Sequence, residues 1–443
     1  MHIQQWSRRI VPLLLLAASS PAAAQSPDST AVARWLTQNA IPLGIATRDA
    51  DLDDLEPLRA VLSNVRIVGL GEASHGAREL FQVKHRLVRF LVELMGFRVL
   101  AMELDYPAAR HIDDYVQGRS ADTDFRLKVW DTEEFVAMLE WLRQYNARQP
   151  DSAKISIIGV DGQDRRTDAA SLASYIRRVA PRRATDVAQL LSDTTFPARL
   201  DSTTNAELQR RYVDLYMFLR LNGARLINAS SRSEYEAMCE LALAFVQPGY
   251  IYASDIDTRQ GLARRDSYMA ENLRRAVERS RPGTRFILWV HNGHVGAGDD
   301  YFPRLGLHLR GLYGSAYYAL GLTFGHGGIQ AWDRDLARQG RFVLRAYQLE
   351  NPDAGSLERY FAQTGLEQLV IDFRSAPQGG AVADWLATRQ DMRGIGAVYG
   401  GDDDPASIAS RAPGRVFDGM LYIDTVTRAR PTPRMRDAYL ENN

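Results

Sequence analysis

Cysteine is all but missing from this chain: Cys239 stands alone among 443 residues. A single thiol excludes an internal disulfide, even in an oxidising compartment, and argues against a thiolate metal site or thiol catalysis. Lysine is scarce as well, with Lys84, Lys128 and Lys154 the only three among 54 basic residues; this is a habit of composition and carries no function. An excess of charge of either sign is lacking, because Asp plus Glu also number 54. A nucleic-acid or anionic-membrane partner calls for a basic surplus, so neither is expected. No apolar run approaches the ~20 residues of a membrane-spanning helix. There is no G-x-S-x-G elbow of a serine hydrolase, no internal repeat and no low-complexity tract.

What is present begins with a leader. Arg8 and Arg9 precede the apolar run Ile10 to Ala18, and Ala22, Ala23 and Ala24 before Gln25 have the A-x-A form of a cleavage site. This is the pattern of a secretory signal peptide, residues 1–24, and predicts a periplasmic or secreted protein with no membrane attachment after cleavage; an uncleaved anchor is the alternative. The leader takes two arginines and no acid, which leaves the mature chain near −2. The remaining 419 residues exceed what one compact core usually holds. They predict one α/β domain, 25–443, carrying extra helices.

The chain is organised around Asn64 to Asp105. An apolar run, Val65 to Leu70, breaks into Gly71, Glu72, Ser74, His75 and Gly76, passes into a helix-period stretch to Met95, and returns as a second apolar run, Val99 to Leu104. Strand, polar loop, helix and strand in this order predict a right-handed parallel crossover. On the helix, Leu80, Leu87, Leu91 and Leu94 form a stripe widened by Phe81, Val88, Val92 and Met95. Gln82, His85, Arg86, Arg89 and Glu93 share the other side, so His85 is expected at the solvated surface. Lys84 falls on the stripe. Either its ammonium is buried with a glutamate partner, or its stem lies along the core with the head in water.

A third apolar strand, Ile155 to Val160, ends at Asp161, Gln163 and Asp164; a fourth, Phe286 to Val290, ends at His291, Asn292, Gly293 and His294. Between them, from about 165 to 280, the pattern is helical. Further strand-like runs are Ala316–Phe324, Val343–Leu349, Leu369–Phe373, Ala397–Tyr399 and Met420–Ile423, alternating with helices at Leu357–Ala362 and Val382–Ala387, and Pro405 to Pro413 reads as a loop. The expected fold is three-layer α/β, with a mainly parallel central sheet and an inserted helical subdomain.

Four strands thus end in polar clusters: Glu72 and His75, Glu103, Asp161, and His291 with His294. Ligands of open α/β sheets bind outside the carboxyl ends of the strands, so these clusters are expected to share a cleft. A phosphate loop at Gly69-x-Gly71 is opposed by the charge of Glu72 and by the badly spaced third glycine. Ser74, beside His75, is read as a turn or cap residue. Glu72-x-x-His75, Glu103 and His291-x-x-His294 offer donors for a divalent metal, but H-N-G-H in a loop is not the helical H-E-x-x-H pattern; no cofactor is assigned and a divalent metal stays open. What remains is direct attack by water with His75 as general base.

The G-E-A-S-H-G of Gly71 to Gly76, with Glu79, Lys84, Gly96, Phe97 and Glu103, resembles the first motif of the erythromycin esterase family. Trp289 to His294, W-V-H-N-G-H, resembles its second motif, Arg265 to Asn272 the segment before it, and Phe417 to Asp424 a weaker third match. The resemblance implies an α/β hydrolase of an ester or lactone, of macrolide type, without a serine nucleophile. By position it makes Glu72, His75, Lys84, Glu103, His291 and His294 the catalytic candidates. Arg265 and Asp266, with the strand-end Asp161, are the candidates for substrate contact. Lys84 stands where an arginine also occurs in the family. An exported binding protein on the same scaffold, holding a metal or small ligand without turnover, is the competing class.

Overall fold

The computed structural model describes residues 29–44, 51–125, 127–164, 168–192, 202–253, 258–298, 302–401, 404 and 407–439; the signal peptide expected at 1–24 lies outside them. The strands are β1 (Ile41–Pro42), β2 (Ile67–Leu70), β3 (Val99–Asp105), β4 (Ser156–Asp161), β5 (Phe286–Trp289), β6 (Tyr317–Asp333), β7 (Leu344–Leu349), β8 (Gln368–Asp372), β9 (Gln390–Arg393), β10 (Val398–Tyr399), β11 (Ile408–Arg411) and β12 (Gly419–Val426). The central sheet has the order β1-β8-β12-β6-β2-β5-β3-β4, with β7 and β10 also paired to β6, and it is parallel from β12 through β4. β2 and β3 are parallel and joined by the helix Arg78–Glu93, but β5 lies between them: Phe286 is opposite both Ile67 and Val99. The first crossover therefore skips a position, which a strand almost two hundred residues later fills.

Alternation along these strands builds two cores. Leu100, Met102, Ile287 and Trp289 pack with Leu80, Leu87, Phe135 and Leu139 from the helices Arg78–Glu93 and Glu133–Ala147. Ala101, Phe286 and Leu288 point the other way, to Trp35, Met269, Leu273, Leu305 and Trp385. That is the three-layer arrangement. A third core, with Leu172, Tyr212, Leu215 and Phe245, belongs to the helices between β4 and β5, so the inserted subdomain buries its own apolar surface. The last helix of that stretch, Arg259–Arg279, instead packs on the sheet through Met269, Ala270, Leu273 and Val277.

Two expectations are corrected. His85 is buried, because the helix Glu133–Ala147 covers its side and Trp141 packs against its ring at 5.7 Å. Arg86 beside it is buried too, donating to Asp54 (2.6 Å) and to the Asp51 carbonyl (2.8 Å). The polar face of a helix reads as solvated only when nothing else lands on it. The stretch 405–413 is not merely a loop either. It contains β11, which pairs antiparallel with β9 in a separate two-stranded sheet.

Candidate active site

The parallel strands deliver their polar ends to one edge of the sheet, where the loops after β2 and β5 are bolted together. The backbone N–H of Asn292 donates to the Glu72 carbonyl (2.9 Å). The Asn292 side chain donates to the Leu322 carbonyl (2.7 Å) and accepts from the Leu322 N–H (3.1 Å). Gly71 has to be glycine here, because a Cβ would sit 2.1 Å from Asn292 Oδ1. From the other side the connection between β9 and β10 holds the same loop: Ile395 N–H donates to the Ala73 carbonyl (2.8 Å) and His75 N–H to the Gly396 carbonyl (3.3 Å). Ser74 takes a turn role, its Oγ accepting from the Gly76 N–H (3.2 Å).

His75 Nδ1 lies 2.5 Å from Glu72 Oε1, a spacing that requires a proton between them. Lys84 Nζ donates to Glu72 Oε2 (2.8 Å), and the indole N–H of Trp130 to Oε1 (3.1 Å). A carboxylate with these donors assigns the proton to Nδ1 and leaves His75 Nε2 as the lone pair. Of the two readings of Lys84 the first holds. Its ammonium is wholly buried with Glu72 and sits 3.9 Å from the Trp289 ring centroid. Burial pulls it down to about 8 against the opposing attraction of Glu72.

A second imidazole packs on the first, with the ring centroids of His75 and His291 5.2 Å apart. His291 Nδ1 accepts from the Gly293 N–H (3.0 Å), which puts its own proton on Nε2. Burial and then the neighbouring His75 hold His291 well below the ordinary imidazole value, so the ring is neutral at pH 7. Its Nε2 makes no well-aligned hydrogen bond among the described residues, although the Ala73 carbonyl lies near enough to favour a proton on the ring.

An ion network lies alongside. Glu103, at an irregularity of the β3–β4 pairing between Met102 and Asp105, accepts from the His291 N–H through Oε2 (2.9 Å) and from Arg265 through Oε1 (2.8 Å). Arg265 also grips Asp161 with two nitrogens, at 3.1 and 2.7 Å. Asp266 receives His294 Nδ1 (2.7 Å) on one oxygen and the Leu305 N–H (2.7 Å) on the other. His294 Nε2 lies 3.3 Å from Glu103 and 3.1 Å from Arg265 Nη1. Desolvation opposes charging this ring, but Asp266 and Glu103 raise it to about 9. The imidazolium then donates to Glu103, and its contact with Arg265 is one between donors that two carboxylates outweigh. Burial would raise Glu103, yet His294 and Arg265 hold it well below the usual carboxylate range.

All nine residues singled out in the sequence therefore meet in two linked groups. Asp266 is fully buried, with one oxygen on His294 and the other on the Leu305 N–H. Asp161 is 4% exposed and held by Arg265 and Gln163. Among the described residues no three His, Cys, Asp or Glu side chains are arranged to hold a metal ion. A cavity of about 420 Å³ opens at the ends of β3 and β4, lined by Asp105, Lys128, Asp131, Asp164 and Arg434 among others. A cavity of about 850 Å³ lies at the start of β4 against the inserted helices, away from these groups; the titratable cluster, not the larger void, marks the site. Trp130 is the contact that sequence reasoning missed, since nothing in its stretch is periodic.

A model of the erythromycin esterase family matches residues 92–426. The chain belongs to the erythromycin esterase family. The match takes in Glu103, Asp161, Arg265, Asp266, His291 and His294, while the G-E-A-S-H-G loop lies before it. Erythromycin esterase type II of Escherichia coli is 24% identical over 377 residues, covering 78% of this chain and 89% of the relative. A crystal structure of a Bacillus cereus protein superposes with a TM-score of 0.81 at 27% identity, over 91% of this chain and 99% of that one. A mutant erythromycin esterase in its open conformation gives 0.68 at 17% identity, over 87% of this chain and 97% of that one, a likeness of fold alone. Membership of the erythromycin esterase family makes the protein a hydrolase at family level, with a small-molecule substrate.

Proposed function

We propose that this protein is an exported hydrolase of an ester or lactone, in which His75 activates water as general base. The observation that carries this reading is the His75–Glu72 pair, with a lone pair left on Nε2 and the neutral His291 against it. Water attacks the carbonyl carbon as its proton passes to His75 Nε2. Glu72 stabilises the resulting imidazolium through Nδ1. The tetrahedral oxyanion accepts from His291 Nε2–H, a preorganised donor typically worth about 10²–10³ in rate. The intermediate then expels the alkoxide, which takes the proton back from His75; with a lactone the product is a single hydroxy acid. Lys84, wholly buried, donates to the other oxygen of Glu72 and so fixes the carboxylate from behind. Arg265 and His294 supply positive charge beside the reacting carbonyl, with Glu103 tying both to the backbone of His291.

The test is the pH–rate profile on a panel of ester and lactone substrates, macrolide lactones included, for wild type and His75→Asn with chelator present. His75→Asn should lose at least about 10³-fold in kcat while keeping the wild-type circular dichroism. An unchanged rate and acidic limb in the variant removes His75 as the base. Loss of the wild-type rate on chelation moves the case to a metal-bound water, and absence of any turnover favours a binding protein.

A further inference from the structure

We propose that Trp130 is a positioning residue that sets the proton affinity of the His75–Glu72 pair; this rests on the reading of His75 as general base. Trp130 closes a short 3-10 turn, Lys128–Trp130, and the turn opens on Lys128 at φ +56°, a left-handed conformation uncommon for a residue with a Cβ. Such strain persists where the surroundings impose it. Here Lys128 lies 3.6 Å from Asp105, whose other oxygen receives the Gln163 and Asp164 N–H groups at 2.6 and 2.9 Å. Just beyond the turn, Asp131 is held by Thr432 (2.9 Å) and Arg434 (2.6 Å). The turn is thus anchored at both ends, to the sheet and to the C-terminal segment.

The indole it presents is 3% exposed. It stacks on Phe135 (6.1 Å, 14° between planes) and stands edge-on to His75 (5.3 Å, 74°). Nε1 reaches Glu72 Oε1 at 3.1 Å and lies 2.9 Å from His75 Nδ1. Because Nδ1 already carries a proton, it cannot accept, so both hydrogens converge on Oε1. An acceptor shared by two donors binds each less strongly. The indole therefore withdraws part of the negative charge that stabilises the imidazolium, and keeps the carboxylate turned so that His75 and Lys84 take separate oxygens. Without the N–H the pair should hold its proton more tightly and return it less readily to the leaving alkoxide.

Two replacements of Trp130 test this: phenylalanine, and 3-benzothienylalanine, whose sulfur removes the N–H at nearly constant ring volume. The pH–rate profile with an ester substrate is measured together with the His75 side-chain titration, followed by NMR in histidine-labelled protein. Both the acidic limb of kcat and the His75 titration should move up by about half to one pH unit. At pH 7 kcat should fall by up to about three- to tenfold, as such a shift allows, with KM within about twofold. An unmoved titration in the benzothienyl variant overturns the proposal, as does a fall in kcat with no movement of the acidic limb, the mark of packing damage alone. If the wild type turns over no ester or lactone but the titration still moves, the hydrolase reading fails and the positioning role stands.

Discussion

Lys84 carries a full charge into a position with no exposed surface, where Glu72 and the Trp289 ring are its compensation. Replacing it with methionine strands a buried carboxylate, so Lys84→Met should lower kcat by about 10–10², less than loss of His75 itself. Its pH dependence follows in sign. The ammonium is present below about 8 and lost above it, so wild-type activity should fall on a basic limb near pH 8. In Lys84→Arg, whose guanidinium stays charged, that limb should disappear. Stability runs the other way: between about 8 and the ordinary 10.5 the unfolded chain holds a proton that the folded chain has given up. Stability from this group therefore rises with pH across that window, by about 2–3 kcal/mol between pH 8 and 10 relative to Lys84→Met. Urea unfolding of the two proteins at both pH values measures it. Arg265 depends on shape as well as charge, since it is forked on Asp161 and also reaches Glu103. Arg265→Lys keeps the charge but loses the fork, and should lower kcat/KM by about 10²-fold in steady-state kinetics.

At the scale of elements, the site is a set of loops held by their neighbours' backbones. Gly396, between β9 and β10, has φ +69° and its carbonyl takes the His75 N–H, while an added Cβ would lie 3.9 Å from His291 Nε2. Gly396→Ala should cost about 1–2 kcal/mol from the left-handed conformation alone, seen as a lower Tm, and should reduce kcat more than it changes KM. Asn292→Ala removes both side-chain bonds to Leu322 and leaves those backbone groups buried, a loss of about 2–4 kcal/mol in denaturant unfolding. Strong apolar runs such as Val99 to Leu104 and Phe286 to Val290 announce strands because both faces are covered and every position must be apolar. β9 and β11, Q-D-M-R and I-A-S-R, are short and mixed, carry no such signal, and exist because they pair with each other. His85 and Arg86 failed for the related reason that a second helix and the segment before β2 land on the face that periodicity reads as polar.

For the whole molecule, the described helices include none long and apolar enough to cross a membrane. The paired arginines, short apolar run and A-x-A ending should give a mature protein that begins at Gln25, and N-terminal mass spectrometry of exported protein checks this; an intact Met1 in cytosolic protein would refute it. Dialysis against chelator should leave the hydrolytic rate within about twofold, because Nδ1 of His75 and of His294 are each engaged with a carboxylate, Glu72 and Asp266, and Nδ1 of His291 with the Gly293 N–H.

The chain by itself determined the kind of fold and the family motifs, and it singled out the polar residues that the fold gathers at the strand ends, since buried parallel strands need continuous apolar runs and their carboxyl ends are where polar residues can stand. It also determined that Lys84 needs a partner if buried. Tertiary structure decided the rest: that β5 enters between β2 and β3, so that His291 packs on His75; that Lys84 chooses Glu72; and that Asp266 pairs with His294. It alone brought Trp130 to the carboxylate, a contact across 58 residues of sequence. Local pattern reports which side of an element is apolar, but which oxygen meets which donor depends on packing between elements remote in the chain, and that packing leaves no period to read.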